Sequence, residues 1–190
     1  AEGISNLYVN SVMEDRNHRL WITTVRNIMQ LKGERFVPHR LGDSSDINYI
    51  YRIRQLADGR LWAFTNQGSF EFDNEHWVSK SIAGEKRGRK CLDILQTKGG
   101  AYINFGDEIM WKPDDQPMQP VWKSARPGFV YFNQMILQRE VLYTSTRDGI
   151  FRQEPNGRFT RIFENIITNG WFPSILLDSR NRCWISKGGS

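Results

Sequence analysis

The fold prediction rests on Arg60-Leu61-Trp62-Ala63-Phe64-Thr65, which follows the turn pair Asp58-Gly59. An aromatic residue in the same setting recurs along the chain at intervals of 41, 40, 41 and 41 residues. The five anchors of this repeat are Trp21, Trp62, Tyr102, Tyr143 and Trp184. A period of about forty residues, kept over the whole chain, is typical of repeat architectures.

Other columns of the repeat keep the same register. The residues three positions after the anchors are Thr24, Thr65, Phe105, Thr146 and Lys187. Bulky aromatic residues follow three anchors by fifteen or sixteen positions, at Phe36, Trp77 and Phe159. Turn-forming pairs precede four anchors, at Asn17-His18, Asp58-Gly59, Lys98-Gly99 and Arg180-Asn181, while the fourth copy has Arg139-Glu140 and matches least well.

Each copy contains four short β-rich segments separated by turns. Asp58-Gly59 lies between two such segments and predicts a hairpin, because both residues tolerate positive φ. Asn66-Gln67-Gly68 and Asp73-Asn74 supply the next two turns. Four antiparallel strands per period are typical of a propeller blade. A β-sandwich also has many short strands, but its strands do not recur every forty-one residues.

We therefore predict an all-β fold, a β-propeller segment of about four four-stranded blades plus the first half of a fifth. The whole chain, 1–190, is one partial propeller, with blades at approximately 9–41, 50–82, 90–123 and 129–163 and a half blade at 171–190. Because four and a half blades do not close a ring, we expect either a fragment of a larger propeller or copies that associate through their open ends. A four-bladed ring with a loose tail is the alternative.

Composition limits the partners. The 39% hydrophobic content suffices for a core. No apolar stretch approaches the roughly 20 residues needed to span a bilayer, so we expect no membrane insertion by this segment. The net charge of +5 favours acidic partners weakly. The one dense basic cluster, Glu85-Lys86-Arg87-Gly88-Arg89-Lys90, is a candidate nucleic-acid contact, but a solvated loop is the simpler interpretation and we expect no nucleic acid.

Nothing in the sequence favours catalysis. His18, His39 and His76 lack metal-ligand spacing. The carboxylates that recur near the hairpins, at Asp15, Asp58 and Asp178, are expected to bond the turn backbone. Cys91 and Cys183 are expected to be free thiols that fill small apolar spaces. We predict no catalytic residue, no metal and no cofactor.

Binding is the remaining class of function. Ligands usually meet a propeller at the end of the blades where loops join successive blades and join the second strand to the third. The candidate ligand-binding residues there are Arg26, Tyr49, Arg87, Arg89, Arg147 and Trp171. An aromatic ring stacks on a sugar and arginine forks to a carboxylate or sulfate, so this set suits an acidic oligosaccharide. The alternative is that these are ordinary loop residues.

The segments Asp15-Arg16-Asn17-His18-Arg19-Leu20-Trp21-Ile22-Thr23-Thr24, Asp58-Gly59-Arg60-Leu61-Trp62 and Asp178-Ser179-Arg180-Asn181-Arg182-Cys183-Trp184-Ile185-Ser186 resemble the two-component regulator propeller repeat. That repeat is typified by Asp-x-x-Gly-x-Leu-Trp-Ile-x-Thr and a following Gly-Leu turn. The turn is only partly kept, as Asn27-Ile28, Gly68-Ser69, Glu108-Ile109 and Gly149-Ile150, and copies three and four have Tyr in place of Trp.

The resemblance implies the periplasmic sensor region of a hybrid two-component histidine kinase, which passes a ligand signal to a cytoplasmic kinase. This segment would then be non-enzymatic, and its ligand a polysaccharide-derived oligosaccharide. Two other classes of function stay open as alternatives to the sensor. One is a scaffold that binds protein partners. The other, which is the least favoured, is a lyase, which needs a histidine and an acid that converge on the axial face.

Overall fold

The structure, a computed structural model, describes residues 9–41, 47, 49–82, 85, 88–124, 132–163, 174–180 and 182–186. The chain forms two compact units, 1–93 and 94–190. No α-helix occurs in these described ranges, and none of their segments is a helix long and apolar enough to cross a membrane.

Unit 1 contains two blades. Blade 1 consists of β1 Val9–Glu14, β2 Leu20–Thr24, β3 Ile28–Lys32 and β4 Arg35–His39. Blade 2 consists of β5 Ile50–Gln55, β6 Leu61–Thr65, β7 Gly68–Asp73 and β8 His76–Ser79. In each blade the strands lie in sequence order and pair antiparallel.

Unit 2 repeats the pattern. Blade 3 consists of β9 Asp93–Thr97, β10 Gly100–Asn104, β11 Glu108–Pro113 and β12 Gln119–Lys123, and its first residue is the last of unit 1. Blade 4 consists of β13 Phe132–Gln138, β14 Val141–Thr146, β15 Gly149–Gln153 and β16 Phe159–Ile162. A two-stranded sheet follows, β17 Ser174–Leu177 and β18 Cys183–Ser186. The predicted fold class, an all-β propeller segment with half a fifth blade, is confirmed.

The anchors lie on the second strand of each blade, as the repeat requires, but their exposure differs. Trp21 and Trp62 are buried, Tyr102 and Tyr143 are half-buried, and Trp184 is 55% exposed. Trp184 therefore differs from the other four anchors in having an exposed ring.

The core of unit 1 forms where blade 2 packs on blade 1. The ring of Trp21 has its centroid 5.1 Å from that of Phe72 and 5.9 Å from that of Trp77, both on blade 2. Ile50 and Ile53 of the first strand of blade 2 belong to the same buried cluster. Edge-to-face aromatic contacts of this kind add to the gain from apolar burial. Blade 1 is thus covered by the face of blade 2 that carries these rings.

Unit 2 has its own core. Phe132 and Met135 of β13 are fully buried with Ile109 and Leu142. The ring of Trp122 stacks on that of Phe159 with centroids 4.5 Å apart. The aromatic residues that follow an anchor by fifteen or sixteen positions, Trp77 and Phe159, are therefore buried or partly buried in their units.

The turn between the first and second strands is held by an aspartate. Asp15 Oδ1 accepts hydrogen bonds from the backbone N–H groups of Asn17 and Arg19, and its Oδ2 accepts from Trp21 Nε1 and Arg19 Nε. Asp178 makes the equivalent four bonds in its own turn. Asp58 accepts from the backbone and side chain of Arg60. The structural role expected of these carboxylates is confirmed.

A threonine closes the turn between the second and third strands. Thr65 Oγ1 donates to the carbonyl of Gly68 at 2.8 Å and accepts from the N–H of Gln67. Thr146 makes the same pair of bonds with Gly149 and Asp148. Local side-chain bonds of this type stabilise a turn without help from other strands. They explain why threonine recurs three residues after the anchor.

Candidate functional site

The turns and loops at one end of unit 1 bring several predicted ligand-binding residues together. At this end the second strand of each blade meets the third, and the segment from blade 1 enters blade 2. The N–H of Ile50 donates to the carbonyl of Val25 at 2.9 Å, so the turn bearing Arg26 lies next to the segment bearing Tyr49. Arg26 is exposed and Tyr49 is 41% exposed. Two of the six predicted residues are therefore neighbours.

Asn66 fixes the backbone of Tyr49. Its side-chain Oδ1 accepts from the N–H of Tyr49 at 3.0 Å, and its own N–H donates to the carbonyl of Tyr49 at 3.0 Å. This reciprocal pair holds the chain at the start of blade 2 as a strand neighbour would. The Tyr49 ring therefore projects from a backbone that is hydrogen-bonded on both its N–H and its carbonyl.

Tyr51 supports the ring of Tyr49. The two ring centroids are 4.9 Å apart and the planes are tilted by 48°. Tyr51 is the extra residue of a β-bulge between Ile50 and Arg52, which turns its side chain out of the regular alternation. Burial raises the pKa of the Tyr51 hydroxyl, and repulsion between the ionised forms of Tyr51 and Tyr49 raises it further, so Tyr51 is a neutral hydrogen-bonding group. The pair forms an aromatic surface that is partly open to solvent through Tyr49.

A lysine borders the same turn. Gly68 has φ +121°, and a Cβ placed on it would lie 3.6 Å from Lys90 Nζ. The ammonium group therefore lies close over the turn that carries Asn66. We call Arg26, Tyr49, Tyr51, Asn66 and Lys90 the Tyr49 surface.

Glu85 organises the basic loop that carries Lys90. Its Oε1 accepts from Ser69 Oγ at 2.9 Å and from the N–H of Cys91 at 3.0 Å, and its Oε2 accepts from the N–H of Ile82 at 3.0 Å. One carboxylate thus ties both ends of the loop to β7. Arg89, in this loop, is half-buried. The sequence analysis interpreted this basic cluster as a solvated loop. The described residues of the loop are instead hydrogen-bonded to blade 2 through Glu85.

A buried ion pair lies further along the inner strand of blade 2. Arg54 Nε and Nη2 donate to the two carboxylate oxygens of Asp93 at 2.8 and 2.9 Å. The Asp93 side chain is fully buried. The bidentate geometry is the strong form of this contact and ties β5 to Asp93, the last residue of unit 1.

The remaining predicted site residues are placed elsewhere or lie outside the described ranges. Arg147 is exposed in the turn between β14 and β15 of unit 2, in the repeat column of Asn66. Arg87 and Trp171 fall outside the described residues. Sequence reasoning missed Tyr51, Asn66 and Lys90. The sequence indicated a turn at Asn66. Its hydrogen bond with Tyr49 joins residues seventeen positions apart, so no short sequence pattern could predict it.

The histidines and cysteines do not join the Tyr49 surface. His18 lies in the β1–β2 turn and His76 opens β8, both at the opposite end of their blades. His39 packs on the ring of Trp21, with centroids 5.0 Å apart. Cys91 and Cys183 are free thiols, and burial raises the pKa of Cys91 well above its usual value. No group of three or more potential metal-ligating side chains occurs among the residues with described positions.

A family model matches the first part of the chain. The family model of two component regulator propellers matches residues 3–26, the segment that contains β1, β2 and the first anchor. No curated protein matches the chain in sequence.

Several solved structures share the fold. The extracellular domain of BT4673 from B. thetaiotaomicron, assigned to the hybrid two component systems, superposes with a TM-score of 0.69 at 14% identity over 94% of this chain and 25% of its own length. The extracellular domain of BT3049 from the same organism superposes with a TM-score of 0.64 at 16% identity, over 96% of this chain and 28% of its own length. An inactive variant of virginiamycin B lyase from Staphylococcus aureus superposes with a TM-score of 0.65 at 13% identity, over 97% of this chain and 65% of its own length.

The chain thus spans about a quarter of the two extracellular domains that it resembles. At these identities the likeness establishes the fold and leaves the ligand open. The resemblance noted in the repeat is confirmed: residues 3–26 match the two component regulator propeller model, and the chain shares its β-propeller fold with extracellular domains of hybrid two component systems.

Proposed function

We propose that this chain is part of an extracytoplasmic, ligand-sensing propeller of a hybrid two-component sensor kinase, located in the periplasm. The segment itself is non-enzymatic and binds an acidic oligosaccharide derived from a polysaccharide. The observation that carries the binding proposal is the Tyr49 surface, where a half-exposed pair of tyrosine rings is bordered by Arg26 and Lys90.

The chemistry of this surface matches that ligand class. The face of a tyrosine ring is apolar and electron-rich, and it packs against the C–H face of a sugar. Arginine and lysine provide charge-assisted hydrogen bonds to a carboxylate or a sulfate. The backbone of Tyr49 is held by Asn66, so little entropy is lost when the ring is covered.

A catalytic alternative has less support. A propeller lyase needs a histidine and an acid converging on one site. His18 and His76 lie at the opposite end of the blades from the Tyr49 surface, and the ring of His39 is packed against Trp21 and Phe72. The similarity to virginiamycin B lyase extends to the fold alone.

Isothermal titration of the full chain with oligogalacturonates tests the proposal, with neutral oligosaccharides of the same length as the reference. We expect the acidic sugars to bind and Tyr49→Ala to weaken binding at least tenfold, since it removes the stacking ring. Lys90→Ala should weaken binding and reduce its salt dependence.

Lys32→Ala is the matched control, because Lys32 is exposed at the far end of blade 1. It should leave binding unchanged. Failure of every acidic and neutral sugar to bind, or binding that is indifferent to Tyr49→Ala, contradicts the proposal. Retention of a protein partner without any added sugar favours the scaffold instead.

A further inference from the structure

Blade 2 differs from the other three four-stranded blades at one buried position of its third strand. The residue that pairs with the position two after the anchor is Ile28 in blade 1, Ile109 in blade 3 and Ile150 in blade 4, and all three are fully buried. In blade 2 this residue is Ser69, which is 2% exposed. A buried hydroxyl costs free energy unless it makes a hydrogen bond, so a serine here indicates a polar partner specific to blade 2.

Glu85 is that partner. Ser69 Oγ donates to Glu85 Oε1 at 2.9 Å. The backbone N–H groups of Cys91 and Ile82 donate to the same carboxylate, each at 3.0 Å. All three donors are uncharged, and hydrogen bonds to an ionised acceptor are roughly twice as strong as those between neutral groups. Glu85 is therefore held in place by hydrogen bonds from neutral groups.

These hydrogen bonds fix the place of Lys90. Cys91 directly follows Lys90 in the chain, and Ser69 directly follows Gly68, on which an added Cβ would lie 3.6 Å from Lys90 Nζ. Glu85 joins Ser69 to Cys91, so one carboxylate connects the turn with the segment that carries the lysine. Burial is the main cause of the raised pKa of the Cys91 thiol, and the charge of Glu85 raises it further, as expected for a carboxylate this close.

The charge of Lys90 is not cancelled by the groups that hold it. Among the residues that the structure describes, no carboxylate forms an ion pair with Lys90. Lys80, which follows the last strand of blade 2, is instead paired with the carboxylate of Glu71. An ion pair of that kind would weaken the attraction for an anionic ligand. Glu85 forms no such pair with Lys90, because its oxygens accept from neutral donors.

We propose that Glu85 is a positioning residue that makes the Tyr49 surface selective for acidic sugars. Its carboxylate holds the segment of Lys90 against the turn of Asn66 and Gly68, and it does so without neutralising the lysine. This role rests on the proposed function, since it concerns the binding of an acidic oligosaccharide. It adds a residue that controls the affinity for that ligand without touching it.

Charge and position predict opposite effects when Glu85 is removed. A carboxylate near the surface repels an anionic ligand, so charge alone predicts that Glu85→Ala strengthens the binding of oligogalacturonates. Loss of the hydrogen bonds to Ser69 and Cys91 releases Lys90, so position predicts weaker binding. We expect isothermal titration of the full chain to show binding weakened about fivefold, the loss expected for one ionic contact at a partly exposed site. Glu85→Gln, which keeps an acceptor oxygen, should bind more tightly than Glu85→Ala.

Ser69→Ala separates position from charge, because it removes one hydrogen bond of Glu85 and leaves every charge in place. It should weaken binding, as Glu85→Ala does. In a chain that already carries Lys90→Ala it should have no further effect, since the two changes then act on one contact. Glu34→Ala is the matched control. It removes an equal charge from an exposed residue in the turn between β3 and β4, away from the Tyr49 surface, and should not weaken binding.

Hydrogen exchange gives a measurement that needs no sugar. The amide hydrogen of Cys91 should exchange faster in Glu85→Ala than in the wild-type chain, because it loses its acceptor. If the wild-type chain binds acidic sugars and Glu85→Ala binds them equally or more tightly, the role assigned to Glu85 is overturned and the proposed function stands. Additive losses in Ser69→Ala and Lys90→Ala, or unchanged exchange at Cys91, overturn that role as well. A wild-type chain that binds no sugar overturns the proposed function and the role of Glu85 with it.

Discussion

The indole Nε1 of Trp21 donates to Asp15 Oδ2 across 2.9 Å inside a fully buried pocket. In the next blade the corresponding indole Nε1, on Trp62, is buried and has no hydrogen-bond partner. The column of Asp15 is occupied there by Leu56, and Asp58 stands two positions later, where it reaches Arg60 and not the indole. Two blades with the same anchor therefore differ in how the anchor is held.

Asp15→Ala is expected to lower the free energy of unfolding by about 2–3 kcal/mol, because it leaves a buried indole N–H and two backbone N–H groups without their acceptor. Asp58→Ala is the matched control and should cost less than about 1 kcal/mol, since its side chain is 42% exposed and its partner Arg60 reaches water. Urea unfolding at pH 7 measures both. Equal losses would contradict the assigned role of Asp15.

Asp15 also predicts an acid dependence. Burial tends to raise its pKa, but hydrogen bonds from Trp21, Arg19 and Asn17 more than offset this, so the pKa lies below its usual value. A carboxyl whose pKa is lower in the folded state stabilises the fold above its unfolded pKa of about 4 and loses that contribution as the pH falls further. Asp15→Asn should flatten the loss of stability between about pH 4 and pH 2.

His39 predicts a second pH dependence, at higher pH. Burial among aromatic rings lowers the pKa of its imidazole, and the charge of Lys32 lowers it further. A base whose pKa is lower in the folded state favours the neutral form, so stability is full above about pH 6.5 and falls as the pH drops below that value. His39→Phe should reduce this slope in urea unfolding between pH 7.5 and pH 5, the range on either side of about 6.5. A variant with the wild-type slope would show that another group titrates.

Gly149 closes the turn between β14 and β15 at φ +132°, and a Cβ there would lie 2.8 Å from Arg161 Nε. Gly149→Ala should cost about 2–3 kcal/mol, from the backbone conformation and the displaced side chain together. Gly33→Ala is the comparison, because Gly33 has φ +62° and nothing within 4 Å of the added Cβ. It should cost about 1 kcal/mol. Thermal unfolding of the two variants measures the difference, and a smaller loss at Gly149 would contradict it.

Asn66 predicts a change in local dynamics. Asn66→Ala removes the acceptor for the N–H of Tyr49, so the exchange of that amide hydrogen should become at least tenfold faster. Asn66→Asp keeps an acceptor oxygen in the same place and should exchange more slowly than the alanine variant. Hydrogen exchange followed by NMR separates the two. Unchanged exchange in Asn66→Ala would mean that Tyr49 is held by other contacts.

Sequence reasoning succeeded where the physical cause is local. The strand order follows from hairpin turns such as Asp58-Gly59, and Thr65 closes its turn with bonds to residues two and three positions away. Gly68 and Gly149 share a repeat column and both adopt φ values that favour glycine. The sequence analysis grouped Asp15 with Asp58, because both lie near a hairpin. Of these two aspartates, only Asp15 is placed to accept a hydrogen bond from the tryptophan of its blade.

The repeat, its four-stranded unit and the chemistry of its turns are all readable in the sequence, because each depends on residues within a few positions of one another. Which surfaces are covered became known from the folded chain. Tyr49 meets Asn66, and Trp21 meets Trp77 while Trp184 stays exposed, through contacts between segments far apart in the chain. Identical anchor columns carry no information about such contacts, because burial depends on the neighbouring blade and not on the strand that bears the residue.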